Sequence, residues 1–333
     1  MDAASDAAPA ISLARIDPPL GTVLKQRFEL EAVIGAGGMG VIYRAIDRRR
    51  AEAGDPAPHV AIKVLAPALR GDQAAIYFLL RESLKAQALR HPHILRVLDQ
   101  DRDGALPFVV MEYVEGAALS QIIASHRDSG LPRSAALRIL RELADALAFI
   151  HGHGVVHADL KPANALLARA GIVKLLDFGL AGAFIGDLAA ELDPAFSVAE
   201  AFGGVTPAYA SAERLEGAEL DPSDDVYALA LIGYELLTGR HPYERQSGIE
   251  VRDRSLTPAP VSGLRPRQWR ALCDALAPTR ARHTATVALF LRQFDGRPAW
   301  VWRSWDTLCD GLRALPRAIK ARTLHRRSGM ARP

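Results

Sequence analysis

VVHADLKPANALL, residues 155–167, places His157, Asp159, Lys161 and Asn164 among apolar neighbours. Taken one at a time these residues have ordinary explanations: an Asp caps a helix, an Asn fits a turn, a His satisfies a core. Their order is harder to dismiss. A carboxylate at Asp159 can accept or orient a hydroxyl proton. A cation at Lys161 can neutralise charge on a phosphoryl group in transfer, and Asn164 can hold a magnesium ion. Further along, LLDFGLA (175–181) sets Asp177 at the end of a short apolar strand, where a carboxylate suits a hard, oxygen-seeking cation.

Upstream, IGAGGMGV (34–41) carries Gly35, Gly37 and Gly40 in a GxGxxG spacing between two apolar runs. Glycines let a backbone approach phosphate oxygens closely. A dinucleotide-binding turn would be followed by a helix, whereas VIYRAID (41–47) has the β-branched character of a strand. Lys63 in VAIKVL and Glu82 in LLRESLKAQAL read singly as a solvent-facing lysine and an exposed acid; after a glycine loop at this spacing, the two together are expected to form a phosphate-handling pair. Strands are expected at FELEAVI, VIYRAID, HVAIKVL, ILRVLD and FVVMEYV, the last two joined through Asp103-Gly104, and a polar loop at RRRAEAGDPAP (48–58). One helix, residues 74–90, interrupts them. From Pro132 the pattern turns helical, with Leu137, Leu140, Leu143, Leu147 and Ile150 on one face, then helices near 226–237 and 286–294. The shift at Glu115-Gly116 divides a small sheet-rich lobe (23–114) from a larger helical one (115–297). A flexible Ala/Asp/Pro-rich lead-in (1–22) precedes them, and a Trp/Arg-rich extension (298–333) follows.

IGAGGMGVIYRA, VAIKVL, RES, VMEY, HADLKPAN, DFG, TPAYASAE and DDVYALALIGYELLTGRHPY occur in the order found in protein kinases. Over roughly Phe28 to Phe294 the chain resembles the bacterial eukaryotic-like serine/threonine protein kinases. The resemblance implies an α+β, two-lobed kinase fold, with ATP and Mg²⁺ as cofactors and protein serine and threonine hydroxyls as acceptors. By the same comparison, Gly35, Ala36, Gly37, Gly40, Val41, Ala61 and Lys63 line the nucleotide. Met111 guards the back of the adenine pocket, and Glu112 to Val114 form the hinge. Asp159, Lys161, Lys63 and Glu82 are the catalytic set, and Asn164 and Asp177 the metal ligands. Lys161, two residues after Asp159, and Thr206 are similar to the serine/threonine version. Glu213 and Arg282 would form a structural ion pair, and Asp225 would support the catalytic loop from behind. Two positions depart from the pattern: Ala158 stands where many kinases have arginine, and Ser211-Ala212-Glu213 replaces Ala-Pro-Glu. Without a basic residue at 158, the chain is expected to work without activation-segment phosphorylation, Ser197 being the only hydroxyl between Gly179 and Gly204.

Formal charge is +3, from 41 basic and 38 acidic residues, too small to name nucleic acid as a partner. Cys273 and Cys309 offer neither a disulfide framework nor a zinc pattern, and no apolar run is long enough to span a bilayer, so a cytoplasmic setting is expected. In the extension, Trp305, Leu308, Leu312 and Leu315 follow helical spacing, and the expectation is a helix docked on the large lobe with a solvated basic tail, the alternative being contact of the extension with an acidic partner or an anionic membrane surface. Two other functions fit parts of the pattern. A nucleotide-binding scaffold without turnover is disfavoured by the retained Lys63, Asp159, Asn164 and Asp177. A small-molecule kinase is disfavoured by the full segment from DFG to SAE.

Overall fold

The computed structural model describes residues 17–37, 40–176 and 205–296. Its first lobe is an antiparallel sheet in the order β1-β2-β3-β4-β6-β5. The strands are β1 (Val23–Leu24), β2 (Phe28–Gly37), β3 (Gly40–Asp47), β4 (His59–Leu65), β5 (Val97–Asp103) and β6 (Leu106–Glu112). Period-two alternation in β4 divides its side chains between two cores. Val60, Ile62 and Val64 join Leu24, Phe28, Tyr43 and Phe108 on one face. Ala61 and Leu65 join Val109, Met111, Ile76 and Leu79 on the other. Ile76 and Leu79 belong to α2 (Gln73–Ala88), so Lys63, in step with Ala61 and Leu65, shares the face that α2 covers. The segment read as a polar loop contains a short helix, α1 (Arg48–Glu52), because Asp47 accepts a hydrogen bond from the Arg49 amide and starts it. Residues 17 and 18, assigned to the lead-in, also pack on the sheet: Pro18 is buried and its carbonyl accepts from Tyr43 Oη at 2.8 Å.

A small sheet, β7 (Gly116–Ala118), β8 (Ala165–Ala168) and β9 (Val173–Leu175), opens the second lobe. Between its first two strands run α3 (Leu119–Ser125) and α4 (Arg133–Gly152). The spacing read from sequence holds in α4, where Leu137, Leu140, Leu143, Leu147 and Ile150 are all buried. After α5 (Ala212–Leu215) comes α6 (Pro222–Thr238), buried continuously from Ser223 to Leu236. A helix apolar on all sides belongs at the centre of a core, and α4 packs directly on it. It starts four residues before the expected 226, since Asp221 and Asp224 form a capping box and Pro222 occupies the first turn. α7 (Gly248–Asp253), α8 (Pro266–Ala275) and α9 (Val287–Asp295) close the lobe, with Leu272, Phe290, Leu291 and Phe294 buried against α4 and α6. The extension beyond residue 296, with its expected amphipathic helix and basic end, lies outside the described residues.

Candidate active site

After α4 the chain turns through His153 and Gly154 into residues 155–167. Ala158 there adopts a left-handed backbone, φ 61°. An L-residue in that region costs about 1–2 kcal/mol. Asp225 on α6 offsets it: Oδ2 accepts from the His157 amide at 2.7 Å and Oδ1 from the Ala158 amide at 2.9 Å. His151 Nε2 donates to Oδ2 at 2.7 Å, so a carboxylate only 1% exposed has three donors. The support expected from Asp225 is present, delivered to two consecutive backbone amides.

That turn presents Asp159. Lys161 Nζ donates to Asp159 Oδ2 at 2.7 Å and to Thr206 Oγ1 at 2.8 Å. Thr206 Oγ1 in turn donates to Asp159 Oδ1 at 3.1 Å. Asn164 Nδ2 donates to the Asp159 carbonyl at 2.9 Å and to Oδ2 at 3.3 Å. Residues separated by up to 47 positions are thus locked around one carboxylate. Asn164, its nitrogen committed to Asp159, keeps its amide oxygen as a hard ligand, which suits a divalent cation. β9 ends beside it, where the Leu176 amide donates to the Asn164 carbonyl at 2.8 Å. Asp177, the next residue, and Ser197 lie outside the described residues.

On the nucleotide side, Gly35, Ala36 and Gly37 of β2 face Ile42, Val41 and Gly40 of β3 in register. A Cβ at Gly40 would lie 1.9 Å from the Val64 carbonyl oxygen, so β3 and β4 can pair there only with glycine. A Cβ at Gly37 would meet nothing within 4 Å, so packing does not require that glycine. Its bare backbone fits a phosphate, which needs close approach to amides. Ala61 pairs with Met111 and Lys63 with Val109 across β4 and β6. Ala61 and Met111 are each 5% exposed, an apolar floor suited to a planar base. Glu82 belongs to α2, the helix covering this face, and its side chain lies outside the described residues. Val114 follows β6 at the junction between lobes. The Glu112 carboxylate has a separate task, because Oε1 accepts from Lys174 Nζ of β9 at 2.7 Å and from the Arg96 amide at 2.9 Å. Sequence reading missed Lys174, since a lysine in a short strand carries no local signal of a partner 62 positions away.

A cavity of about 880 Å³ opens beside Lys161 and Thr206 and is lined by Tyr209, Glu235 and His241 among others. Tyr209 Oη donates to Glu235 Oε2 at 2.9 Å, an interaction with no local trace in the sequence. Burial pushes the Glu235 carboxyl up to about 7, against the weaker pull of Tyr209 and Arg245, and pushes His241 down to about 4. The expected partner of Glu213 is corrected: Arg282 is exposed, and it is the Arg280 amide that donates to Glu213 Oε1, at 2.7 Å. Arg280 Nη2 instead donates to both carboxylate oxygens of Asp224, at 2.9 and 3.0 Å, and Nη1 to the Glu219 carbonyl at 3.0 Å.

A model of the Protein kinase domain family matches residues 28–267, and the chain belongs to that family. Among named relatives, it is 36% identical over 232 residues to serine/threonine-protein kinase PknB of Mycobacterium leprae, covering 68% of this chain and 35% of the relative. It is 37% identical over 294 residues to serine/threonine-protein kinase pkn3 of Myxococcus xanthus, covering 85% and 49%. The chain therefore spans between a third and a half of the length of these relatives. Among solved structures, the Mycobacterium tuberculosis PknI kinase domain superposes with a TM-score of 0.60 at 28% identity, covering 83% of this chain and 98% of that one. The PpkA-294 apo form gives a TM-score of 0.65 at 23% identity, covering 83% and 98%, a likeness of fold. Among the described residues no helix is long and apolar enough to cross a membrane.

Proposed function

We propose that the chain transfers the γ-phosphate of ATP to serine and threonine hydroxyls of protein substrates. The observation that carries this reading is the closed arrangement of Asp159, Lys161, Thr206 and Asn164 on a turn held by Asp225. Bound ATP supplies the phosphoryl group, and a divalent cation, Mg²⁺ in this reading, supplies charge neutralisation to its phosphates. Asn164 would hold that cation through its amide oxygen, together with Asp177. Lys63 would hold the α and β phosphates with Glu82 as its partner, and Gly35, Gly37 and Gly40 would carry the backbone over the phosphates. Ala36, Val41, Ala61 and Met111 would enclose the base, with backbone groups of Glu112 and Val114 at its edge.

Asp159 orients the acceptor hydroxyl and takes its proton as the new bond forms. Lys161, 2.7 Å from that carboxylate, holds it in place and faces the charge that develops on the transferring group. Thr206 bridges both from the substrate side, supporting an aliphatic hydroxyl acceptor. The adjoining cavity has room for the substrate residues next to that hydroxyl. Retention of Lys63, Asp159 and Asn164 supports turnover over a scaffold role, and the printed names of the relatives support the serine/threonine class. The test is incubation of the purified chain with Mg²⁺, γ-labelled ATP and a generic basic protein, followed by phosphoamino-acid analysis. Label in phosphoserine and phosphothreonine is expected. Label confined to phosphotyrosine, or none transferred, would exclude the reading.

A further inference from the structure

The connection between β4 and α2, Ala66 to Asp72, leads from the sheet into α2, and in it Arg70 has an acceptor on each of its three guanidinium nitrogens. Arg70 Nε donates to the carbonyl of Leu65, the last residue of β4, at 3.0 Å. Its two terminal nitrogens donate to Asp17, Nη1 to the carboxylate Oδ2 and Nη2 to the backbone carbonyl. The next residue, Pro18, is buried, and its carbonyl accepts from Tyr43 Oη at 2.8 Å, Tyr43 being wholly enclosed in the sheet core. Two residues after Arg70, Asp72 accepts from the Ala75 amide through Oδ1 and from the Ile76 amide through its carbonyl, starting α2. Hydrogen bonds therefore link β3 to Pro18 and Asp17 to Arg70, and two residues of chain carry the connection from Arg70 to Asp72, which caps the first turn of α2. The Arg70 side chain is 20% exposed and the Asp17 side chain 53%, so the hold on the connection rests on geometry: an arginine fork on a carboxylate and a carbonyl of one residue, with a third bond to Leu65, is more specific than a lone surface pair.

We propose that Asp17, Pro18, Tyr43 and Arg70 form a latch by which the segment preceding the kinase domain positions α2, and that the latch sets the rate of phosphoryl transfer. Its effect on rate rests on the proposed function, in which Glu82 of α2 fixes Lys63 of β4. Beyond the latch, the described side chains in the amino-terminal half of α2 meet the sheet chiefly through Ile76 and Leu79 against Ala61, Leu65, Val109 and Met111. How the entry of a helix is tied helps to set its approach to the surface it packs on. Residues 17 and 18 lie outside the match to the kinase family, which begins at 28. Asp17, Tyr43 and Arg70 are positioning residues, acting through α2 and not on the reacting atoms.

The test uses the full chain and three variants, Asp17→Ala, Tyr43→Phe and Arg70→Lys. Each removes one link: the carboxylate acceptor, the phenol donor, or the fork while the charge is kept. Turnover should fall by about three- to tenfold in each, with the KM for the protein substrate unchanged. Amide hydrogen exchange should rise over residues 73–80 and stay as in the wild type over α4 and α6. A double exchange, Asp17→Arg with Arg70→Asp, should recover part of the loss. Wild-type kcat together with wild-type exchange in α2 for Asp17→Ala and Tyr43→Phe overturns the latch. The exchange measurement needs no turnover, so inactivity of the wild-type chain would refute the proposed function and leave the latch to be judged on exchange alone.

Discussion

Glu235 and His241 are both forced toward neutrality by burial, and their effects on stability run in opposite directions. Glu235 has its carboxyl raised from 4.5 to about 7. Between those values the folded chain binds the proton that the unfolded chain releases, so stability falls as pH rises through this window and is level above it. The full effect is about 3 kcal/mol. His241, lowered from 6.5 to about 4, loses stability as pH falls below 6.5. The two partly cancel between 4.5 and 6.5 in the wild type, and a variant separates them. Glu235→Gln keeps an acceptor for Tyr209 and removes the carboxylate. The melting temperature of the variant relative to wild type should therefore be higher at pH 8 than at pH 5 by several degrees, at roughly 2–4 °C per kcal/mol. An equal difference at both pH values, read by circular dichroism, would mean that Glu235 is not protonated in the fold near neutrality.

The β2–β3 hairpin separates a glycine the fold requires from one it does not. Gly40→Ala would drive a methyl into the Val64 carbonyl, so the β3–β4 ladder must shift, and the melting temperature should drop by several degrees. Gly37→Ala meets open space and should melt within about a degree of wild type while raising the KM for ATP, the nucleotide losing close approach to the backbone. Equal damage from the two, or an unaltered KM in Gly37→Ala, would contradict the assignment. Sequence pattern revealed the elements whose signal is local. The strands around Lys63 show β-branched alternation, α4 shows helical spacing, and the segment from His157 to Asn164 shows its polar order. Elements whose cause is an end effect were less visible. The capping box of Ser247 and Glu250 that starts α7 and Pro266 in the first turn of α8 are legible signals that hydrophobic spacing alone passes over. Contacts between distant positions, such as Lys174 with Glu112, Tyr209 with Glu235 and Arg280 with Asp224, have no trace in local pattern, because the chain must fold before they exist.

At the scale of the molecule the two lobes are joined by backbone hydrogen bonds as well as by the chain that runs on from β6 to β7. The Leu95 amide donates to the Leu175 carbonyl at 2.9 Å and the Leu175 amide to the His93 carbonyl at 2.8 Å, stitching the segment after α2 to the strand before Asp177. His93 adds a contact to the Val173 carbonyl at 3.1 Å. With Lys174 on Glu112, β9 is tied to the lobe that holds Lys63, while Asp159 is tied to α6 through Asp225 in the lobe below. Phosphoryl transfer would bring both anchored halves to one substrate, and Asp159 is the group whose loss should matter most at the chemical step. The decisive measurement compares kcat for phosphate transfer to a protein substrate in wild type and Asp159→Asn, with circular dichroism confirming that both are folded. The asparagine keeps the size and an acceptor for Lys161 and Thr206 but cannot take the hydroxyl proton. A fall on the order of 10²-fold or more at an unchanged melting temperature is the expected result. Turnover within a few-fold of wild type in the folded variant would contradict the assignment of Asp159 and, with it, the account of this site.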